Sequence, residues 1–306
     1  MRFSIAALMA SCAAVFLSAD MSRAQDMSRA QDTLRPMVEQ YRFGAFISAE
    51  ALSADRFGNV FIVDAGTSTL RKFDLTGRLL AETGAPGWDD QQFDRPTGLD
   101  ARWGIAVYVA DMGNNRVSRF DRDLNFMAAQ RGDDGTIDPG FGYPLDVVQS
   151  SLEQFFVLDG ENARVLALRG FNRVERVFGG IESGEGRLKD PVALASDGSR
   201  LLYVLESDRV VVFDHFGSYL RQFGRGRFSD AQGIAVGRGV VLVVTPDQLQ
   251  LYTDDGVHLR NIGRSHLVLS GDVEEFRDAD FSPPHLLILT THHCILFPAA
   301  DLARGS

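Results

Sequence analysis

Six short apolar runs recur along this chain at a nearly constant interval, and they constrain the fold more than any other feature of the sequence. The polar residues that close the runs are Asp64, Asp111, Asp159, Glu206, Thr245 and Thr290, at intervals of 47, 48, 47, 39 and 45 residues. Each run is apolar without alternation, so both faces of each expected strand must be covered, yet no long amphipathic helix lies between the runs. Small sheets that stack face to face around an axis cover one another. The repeat therefore predicts an all-β propeller with six blades.

The rest of each repeat supplies the other strands of a four-stranded antiparallel blade. A polar turn follows each apolar run, and then comes a strand centred on Phe73 or its counterparts in later repeats. Glycines such as Gly77, Gly217 and Gly256 follow at positions where a tight hairpin needs positive φ. Only five copies of the last strand occur downstream of an apolar run, and residues 40–44 resemble residues 220–224. We therefore expect the N-terminal strand to complete the last blade and close the ring.

The N-terminal residues predict export. One basic residue, Arg2, precedes an apolar stretch over residues 3–17, which is too short for a membrane span and typical of a signal peptide. We expect cleavage after Ala24, with Ala30 as the alternative site. Residues preceding Cys12 faintly resemble a lipoprotein cleavage box, but the apolar run continues past the cysteine, which favours simple secretion. The mature protein is expected to lack a transmembrane segment and to be periplasmic or secreted.

Four segments follow from these patterns. Residues 1–24 form the signal peptide, 25–38 a linker that includes part of a duplicated MSRAQD sequence, 39–302 the propeller, and 303–306 a tail. The mature chain keeps one cysteine, Cys294, so it cannot form an internal disulfide, and its stability must come from the core.

The charge balance argues against a nucleic-acid partner. The chain has 31 Lys and Arg against 41 Asp and Glu, for a formal net charge of −10. Affinity for a phosphate backbone comes mostly from clustered basic residues, and the local Arg221, Arg225 and Arg227 group is small.

Three stretches resemble the NHL repeat, whose units build six-bladed propellers. They are GNVFIVDAGTSTLRKFDLTGRLL, YVADMGNNRVSRFDRDL and FVLDGENARVLALRG, and the resemblance weakens over the last three repeats. It implies the propeller fold but carries few functional residues to this chain.

The pairs Asp111 with Arg116 and Asp159 with Arg164 share one spacing, at the two ends of a predicted turn. A carboxylate and a guanidinium so placed can form a bidentate pair that fixes the turn, which favours a structural role. The alternative is an exposed acidic arc, formed by Asp64, Glu206 and the two aspartates of the pairs, that binds a cation or a basic partner.

Enzymatic alternatives depend on the central channel. His292, His293 and Cys294 alternate in direction along a strand, which leaves too few adjacent ligands for zinc, and we expect no metal site there. Peptidyl-hydroxyglycine lyases of similar architecture hold zinc with histidines from several blades, and lactonase-like propellers hold calcium with channel carboxylates. The zinc-binding histidine pattern is not recognisable here, and neither are the later Asn and Asp motifs of the lactonase-like propellers. The carboxylates that would hold Ca²⁺ or another divalent ion are Glu50, Asp100, Asp146 and Asp280.

The long connections between blades are the favoured functional region, because a rigid scaffold leaves loop sequences free for recognition. The candidate binding-face residues are Trp88, Asp94, Arg95, Phe141, Tyr143 and Asp190, although the aromatic ones could equally cap blade interfaces. We therefore expect a monomeric binding or scaffold module, without a cofactor, for another extracytoplasmic protein, peptide or cell-surface component. The alternative is a divalent-ion-dependent hydrolase or lyase.

Overall fold

The computed structural model describes residues 36–150, 154–299 and 302, and these residues form an all-β ring. Six four-stranded antiparallel sheets follow one another along the chain as blades 1 to 6, which confirms the predicted fold class. The predicted signal peptide, the linker up to residue 35 and the predicted tail lie outside the described residues.

Each of the first three blades begins with its innermost strand, next to the axis, and ends with its outermost strand. Blade 1 contains β3 (Ala49–Ala54), β4 (Asn59–Asp64), β5 (Thr69–Asp74) and β6 (Leu79–Thr83). Blade 2 contains β7 (Pro96–Asp100), β8 (Ala106–Asp111), β9 (Arg116–Asp121) and β10 (Phe126–Arg131). Blade 3 contains β11 (Pro144–Gln149), β12 (Gln154–Asp159), β13 (Arg164–Arg169) and β14 (Arg173–Phe178).

The last three blades follow the same order from the axis outwards. Blade 4 contains β15 (Pro191–Ser196), β16 (Leu201–Glu206), β17 (Val210–Asp214) and β18 (Tyr219–Phe223). Blade 5 contains β19 (Gly233–Gly237), β20 (Val240–Val244), β21 (Gln248–Thr253) and β22 (His258–Gly263). Blade 6 contains β24 (Phe276–Ser282), β25 (His285–Thr290), β26 (Cys294–Pro298) and, from the N-terminal part of the chain, β2 (Tyr41–Phe43). Two further two-residue strands are β1 (Met37–Val38) and β23 (Leu267–Val268).

The N-terminal strand closes the ring as predicted. Tyr41 pairs with Leu296 and Phe43 with Cys294 in an antiparallel register. Phe43 is buried against Phe73 of blade 1, with 5.3 Å between the ring centroids. The two ends of the propeller are therefore joined by hydrogen bonds within blade 6 and by apolar packing between blades 6 and 1.

The second strand of each blade is buried on both faces because neighbouring blades cover it. All six residues of β8 are buried, and the core clusters join successive blades. Burying such side chains contributes roughly 1.5–3 kcal/mol each. This packing is the physical reason why the six runs are apolar without alternation.

The hairpin glycines are required by both conformation and space. Gly77, Gly217 and Gly256 have φ of +86°, +85° and +87°. A Cβ added to Gly77 would lie 2.3 Å from the Cβ of Phe43 in the preceding blade. These glycines thus allow each hairpin to press on the outer strand of its neighbour.

The strand directions divide the connections into two faces. The turns between second and third strands and the connections between blades lie on one side, which we call the upper face. The turns between first and second strands and between third and fourth strands lie on the other, the lower face. Three short helices, Met112–Asn114, Gly184–Gly186 and Arg264–His266, all belong to the upper face. None of the helices in the described part of the chain is long and apolar enough to cross a membrane.

Candidate binding face and central channel

The first strands of the blades surround a narrow cavity of about 70 Å³. The four carboxylates predicted to face the channel, Glu50, Asp100, Asp146 and Asp280, all line it. Asp278 also lines the cavity, and sequence reasoning missed it. The signal was available, because Asp278 and Asp280 are two residues apart on one strand and so point the same way.

Each of these aspartates joins its blade to the next one. Asp146 Oδ2 accepts the backbone N–H of Leu194 at 2.8 Å, and Asp278 Oδ2 accepts that of Leu52 at 2.9 Å. Their second oxygens accept the N–H of the residue that follows each aspartate. The channel carboxylates therefore already serve as hydrogen-bonded links between blades.

The other two aspartates, Asp100 and Asp280, make the same kind of link between blades from a position two residues further along the first strand. Asp280 Oδ2 accepts the N–H of Ala54 at 2.8 Å, and Asp100 Oδ2 accepts that of Gln149 at 2.6 Å. Ser53 Oγ accepts the N–H of Ala101 at 3.1 Å and so links blades 1 and 2.

Burial sets the protonation chemistry of the channel. Loss of solvation raises the pKa of Asp146 to about 7 and raises the pKa of Asp278 well above its ordinary value. The pKa values of Asp100 and Asp280 are raised for the same reason, and the nearby Arg102 opposes the rise. These carboxyl groups therefore hold protons at pH values where exposed aspartates have lost them. Among the described residues, no three His, Cys, Asp or Glu side chains form a group suited to a metal ion.

The acids at the ends of the second strands hold the connections of the upper face. Asp64 accepts the backbone N–H groups of Ile47 and Ser48 at 3.0 and 2.9 Å. Asp111 accepts the N–H of Asp94 at 2.8 Å. The equivalent acids of blades 3 and 4 accept the N–H groups of Gly142, Lys189 and Asp190.

The alternative of an exposed acidic arc is wrong. Asp64, Asp111 and Asp159 are 0% exposed and Glu206 is 1% exposed, so they cannot meet a partner at the surface. They are acceptors for backbone groups instead.

The predicted arginine pairs form, but they are not bidentate. Arg116 Nε donates to Asp111 Oδ2 at 2.9 Å, and its other nitrogens donate to the backbone carbonyls of Trp88, Asp89 and Gln92. Arg164 Nε likewise donates to Asp159 Oδ2 at 2.8 Å, while its Nη2 donates to the carbonyl of Gly140. Each arginine thus ties the turn of its own blade to the connection that enters that blade.

These contacts fix a set of residues that we call the rim, the last two residues before the first strand of blades 1 to 4. Arg95 and Tyr143 have φ of +54° and +47°, in the left-handed region that residues other than glycine rarely adopt. Such strain persists where the surroundings determine the conformation, and it clusters at functional sites. The rim comprises Ile47, Ser48, Asp94, Arg95, Gly142, Tyr143, Lys189 and Asp190.

The predicted binding-face residues divide into two groups. Asp94, Arg95, Tyr143 and Asp190 belong to the rim and are exposed, and Trp88 is 76% exposed on the connection from blade 1 to blade 2. Phe141 does not belong to the binding face, because its side chain is only 3% exposed and packs in the core cluster between blades 2 and 3. Sequence reasoning missed Ile47 and Lys189, which carry no motif and become rim residues only through the backbone contacts.

The histidines near the C-terminus do not assemble around Cys294. Cys294 is buried in β26, and His292 Nδ1 lies 3.2 Å from the carbonyl oxygen of Phe46. His293 Nδ1 lies 3.8 Å from Glu274 Oε2, and His285 begins β25 at its lower end.

Comparison with known proteins supports the fold and leaves the family open. No protein-family profile matches the chain, so the NHL assignment is not confirmed. A probable peptidyl-α-hydroxyglycine α-amidating lyase of Caenorhabditis elegans, pgal-1, is 24% identical over 185 residues, which are 58% of this chain. The chain matches only 51% of the length of that relative.

Solved structures share the propeller at low sequence identity. A streptogramin B lyase has a TM-score of 0.60 and 12% identity, over 83% of this chain and 96% of its own. The WD40 propeller domain of Doa1 has a TM-score of 0.59 and 12% identity, over 83% and 80% of the two chains. A catalytically inactive variant of virginiamycin B lyase from Staphylococcus aureus, solved with quinupristin, has a TM-score of 0.56 and 13% identity, over 81% and 80%. This chain is a six-bladed β-propeller. Lyases and a WD40 propeller domain resemble it in overall structure, so the likeness shows the propeller architecture alone.

Proposed function

We propose that this propeller is an exported binding module whose upper face engages another extracytoplasmic protein or peptide. The rim carries the proposal. Buried carboxylates accept hydrogen bonds from the backbone N–H groups of the rim. The stacked blades fix the positions of these carboxylates. A rim prepared in this way loses little conformational freedom when a partner binds, which favours affinity.

The side chains of the rim suit recognition. Arg95 and Asp94 are exposed and only loosely associated, with 3.9 Å between Nε and Oδ1. Tyr143 is 48% exposed and Trp88 76% exposed, so both rings are available for contact. Aromatic side chains and arginine are enriched in protein interfaces.

The channel supports binding more than catalysis. The oxygens of Asp100, Asp146, Asp278 and Asp280 already accept backbone N–H groups, and the cavity they line is small. An ion or a substrate there would have to share these oxygens with the backbone N–H groups that join the blades.

The proposed export, location and monomeric state are supported by the sequence pattern alone. The signal-like segment over residues 1–24 and the single cysteine of the mature chain fit a periplasmic or secreted protein. The NHL-like repeats in the first three blades fit a monomeric binding propeller.

A lyase is the second candidate, favoured by the similarity to the amidating-lyase relative. On this candidate Glu50, Asp100, Asp146 and Asp280 would hold a divalent ion, and their side chains would have to rearrange to do so, because the described residues form no metal-binding group as they stand. The test is the melting temperature of chelator-treated protein with added calcium, magnesium or zinc, followed by an assay with a peptidyl-α-hydroxyglycine. A ligand that binds only the folded state raises the melting temperature. No shift with any of the three ions would reject this candidate.

The binding proposal is tested in the cells that export the protein. A photo-reactive amino acid replaces Tyr143 on the upper face or Phe216 on the lower face, and cross-linked adducts are identified by mass spectrometry. We expect one specific adduct from the upper position alone. The double variant D94K/R95E should abolish that adduct without changing the melting temperature. Equal adducts from both positions, or an adduct that survives D94K/R95E, would reject the rim as the binding surface.

A further inference from the structure

The upper face of the propeller is strongly acidic. Its connections hold many more carboxylates than exposed basic side chains, and nearly all of these carboxylates are exposed. The acids are Asp89, Asp90, Asp94, Asp133, Asp134, Asp138, Glu161, Glu182, Glu185, Asp190, Asp208, Asp230, Asp247, Asp272, Glu274 and Glu275. The exposed basic residues of the same connections are Arg95, Arg187, Lys189, Arg225, Arg227 and Arg264.

The lower face is balanced by comparison. In its described connections the acids are Asp55, Asp123, Asp197, Asp254 and Asp255. The basic residues there are Arg56, Arg78, Arg102, Arg122, Arg200 and Arg238. The excess negative charge of the connections therefore lies at one end of the propeller axis. A one-sided field of this kind attracts cationic partners to that end and raises their association rate.

The acidic face also presents apolar side chains on one side of the ring. Four successive connections, which lead into blades 1 to 4, each expose one large apolar residue. Ile47 is 63% exposed, Trp88 76%, Tyr143 48% and Ile181 76%. The connections into blades 2 to 4 are thus both apolar and acidic, and the connection into blade 1 adds the exposed Ile47 beside them. Exposed apolar groups rimmed by polar residues are typical of interaction surfaces.

We propose that this apolar and acidic part of the upper face docks a basic polypeptide segment that carries aliphatic or aromatic side chains. The apolar residues supply contact area, and the surrounding carboxylates select lysine and arginine. This inference rests on the proposed binding function and defines the chemistry of its partner. Charge complementarity excludes anionic partners by the same argument, since like charges that meet in an interface cost several kcal/mol.

The experiment uses the mature full-length protein and a pair of fluorescent synthetic peptides. One peptide contains Lys, Leu and Tyr, and the other has Glu in place of Lys with the same order and length. Fluorescence anisotropy gives the dissociation constants between about 20 and 500 mM NaCl, a range over which screening becomes strong. We expect the Lys peptide to bind, to bind more weakly as salt rises, and to bind far more tightly than the Glu peptide.

Matched variants distinguish the effect of charge on the upper face from the effect of the net charge of the whole protein. Asp89 and Asp90 are adjacent and exposed on the upper face, and Asp254 and Asp255 are adjacent and exposed on the lower face. D89K/D90K and D254K/D255K therefore change the net charge equally. The upper pair should weaken Lys-peptide binding at least about tenfold at low salt, while the lower pair should have a much smaller effect.

A second matched pair tests the apolar contribution. Trp88 and Phe216 are both 76% exposed, one on each face. Trp88→Ala should weaken binding of the Lys peptide, and Phe216→Ala should leave it unchanged.

Equal effects of the two double-lysine variants on Lys-peptide binding would overturn the docking surface. A Glu peptide that binds equally well and remains sensitive to Trp88→Ala would overturn the basic partner but leave the binding function standing. A third outcome is that the dissociation constants of both peptides are the same for the upper-face variants as for the unchanged protein while the Tyr143 cross-link persists. That result would show that the proposed basic and apolar partner is wrong. Loss of that cross-link as well would reject the binding function itself.

Discussion

Asp146 and Asp278 occupy the same register position on the first strands of blades 3 and 6, which are opposite each other in the ring. Asp146 is paired across from Leu158, and Asp278 across from Leu289, each immediately after a bulge in the strand. Each carboxylate accepts a backbone N–H from the following blade, so the two sites are related by a pseudo-twofold axis.

The relationship extends to the preceding blades. A Cβ added to Gly98 would lie 2.3 Å from Asp146 Oδ1, and one added to Gly233 would lie 2.5 Å from Asp278 Oδ1. A glycine thus makes room for each carboxylate, and three consecutive blades are joined at each site.

The stability of the protein should fall as pH rises through the titration of Asp146. Its folded pKa is about 7 against an ordinary value of 3.8. Because the folded pKa is raised, the favourable contribution is complete below about pH 4 and is lost as pH rises towards 7 and above. Denaturant unfolding between pH 4 and 8 should show a loss on the order of 2–4 kcal/mol from this group. Asp146→Asn should flatten that dependence, and an unchanged pH profile in the variant would contradict the assignment.

Gly98→Ala should destabilise the protein because the new methyl group meets the Asp146 carboxylate. We expect a loss of about 1–3 kcal/mol in the free energy of unfolding, as for other overpacked sites. Gly271→Ala is the control, since an added Cβ there would come no closer than 3.8 Å to a neighbouring atom. Chemical denaturation of both variants measures the difference, and equal stabilities would argue against the close approach.

Arg116→Met should destabilise the protein strongly, since it leaves the buried Asp111 carboxylate without its cation. Both side chains of this ion pair are 0% exposed. Removing one member of a buried pair costs about 3–5 kcal/mol. The variant should also be cut faster by protease within residues 88–92, because Arg116 holds three backbone carbonyls of this segment. Arg122→Ala breaks an exposed pair and should leave both measurements unchanged.

Phe43→Ala should weaken the ring closure. The side chain is buried between blades 6 and 1, and truncation of a buried phenylalanine costs about 3–5 kcal/mol. Tyr41→Ala lies on the same strand but is 47% exposed, so it should cost much less. A more drastic deletion of residues 37–45 removes the closing strand and should leave the protein unable to fold stably. Melting curves compare the three variants with the intact protein, and a deletion variant as stable as the intact protein would refute closure by this strand.

Several parts of the fold could be predicted from the sequence alone because they depend on local periodicity. A strand covered on both faces needs an apolar residue at every position, so the runs ending at Asp64, Asp111 and Asp159 revealed the blades. A tight hairpin needs positive φ, so Gly77 and its counterparts marked the turns. The similarity of residues 40–44 to residues 220–224 indicated the closure, since equivalent strands carry equivalent side chains.

The roles of individual polar and aromatic residues depended on the relative placement of distant segments. Asp111 looks the same in sequence whether its carboxylate faces solvent or the N–H of Asp94, and only the folded connection makes it a buried acceptor. Phe141 shares a loop with the exposed Tyr143, but the neighbouring blade covers the first ring and not the second. The sign of the net charge was evident from composition, yet its concentration at one end of the axis arises only when strand direction assigns each loop to a face. Periodicity is a property of neighbours along the chain, whereas burial and surface potential are sums over neighbours in space.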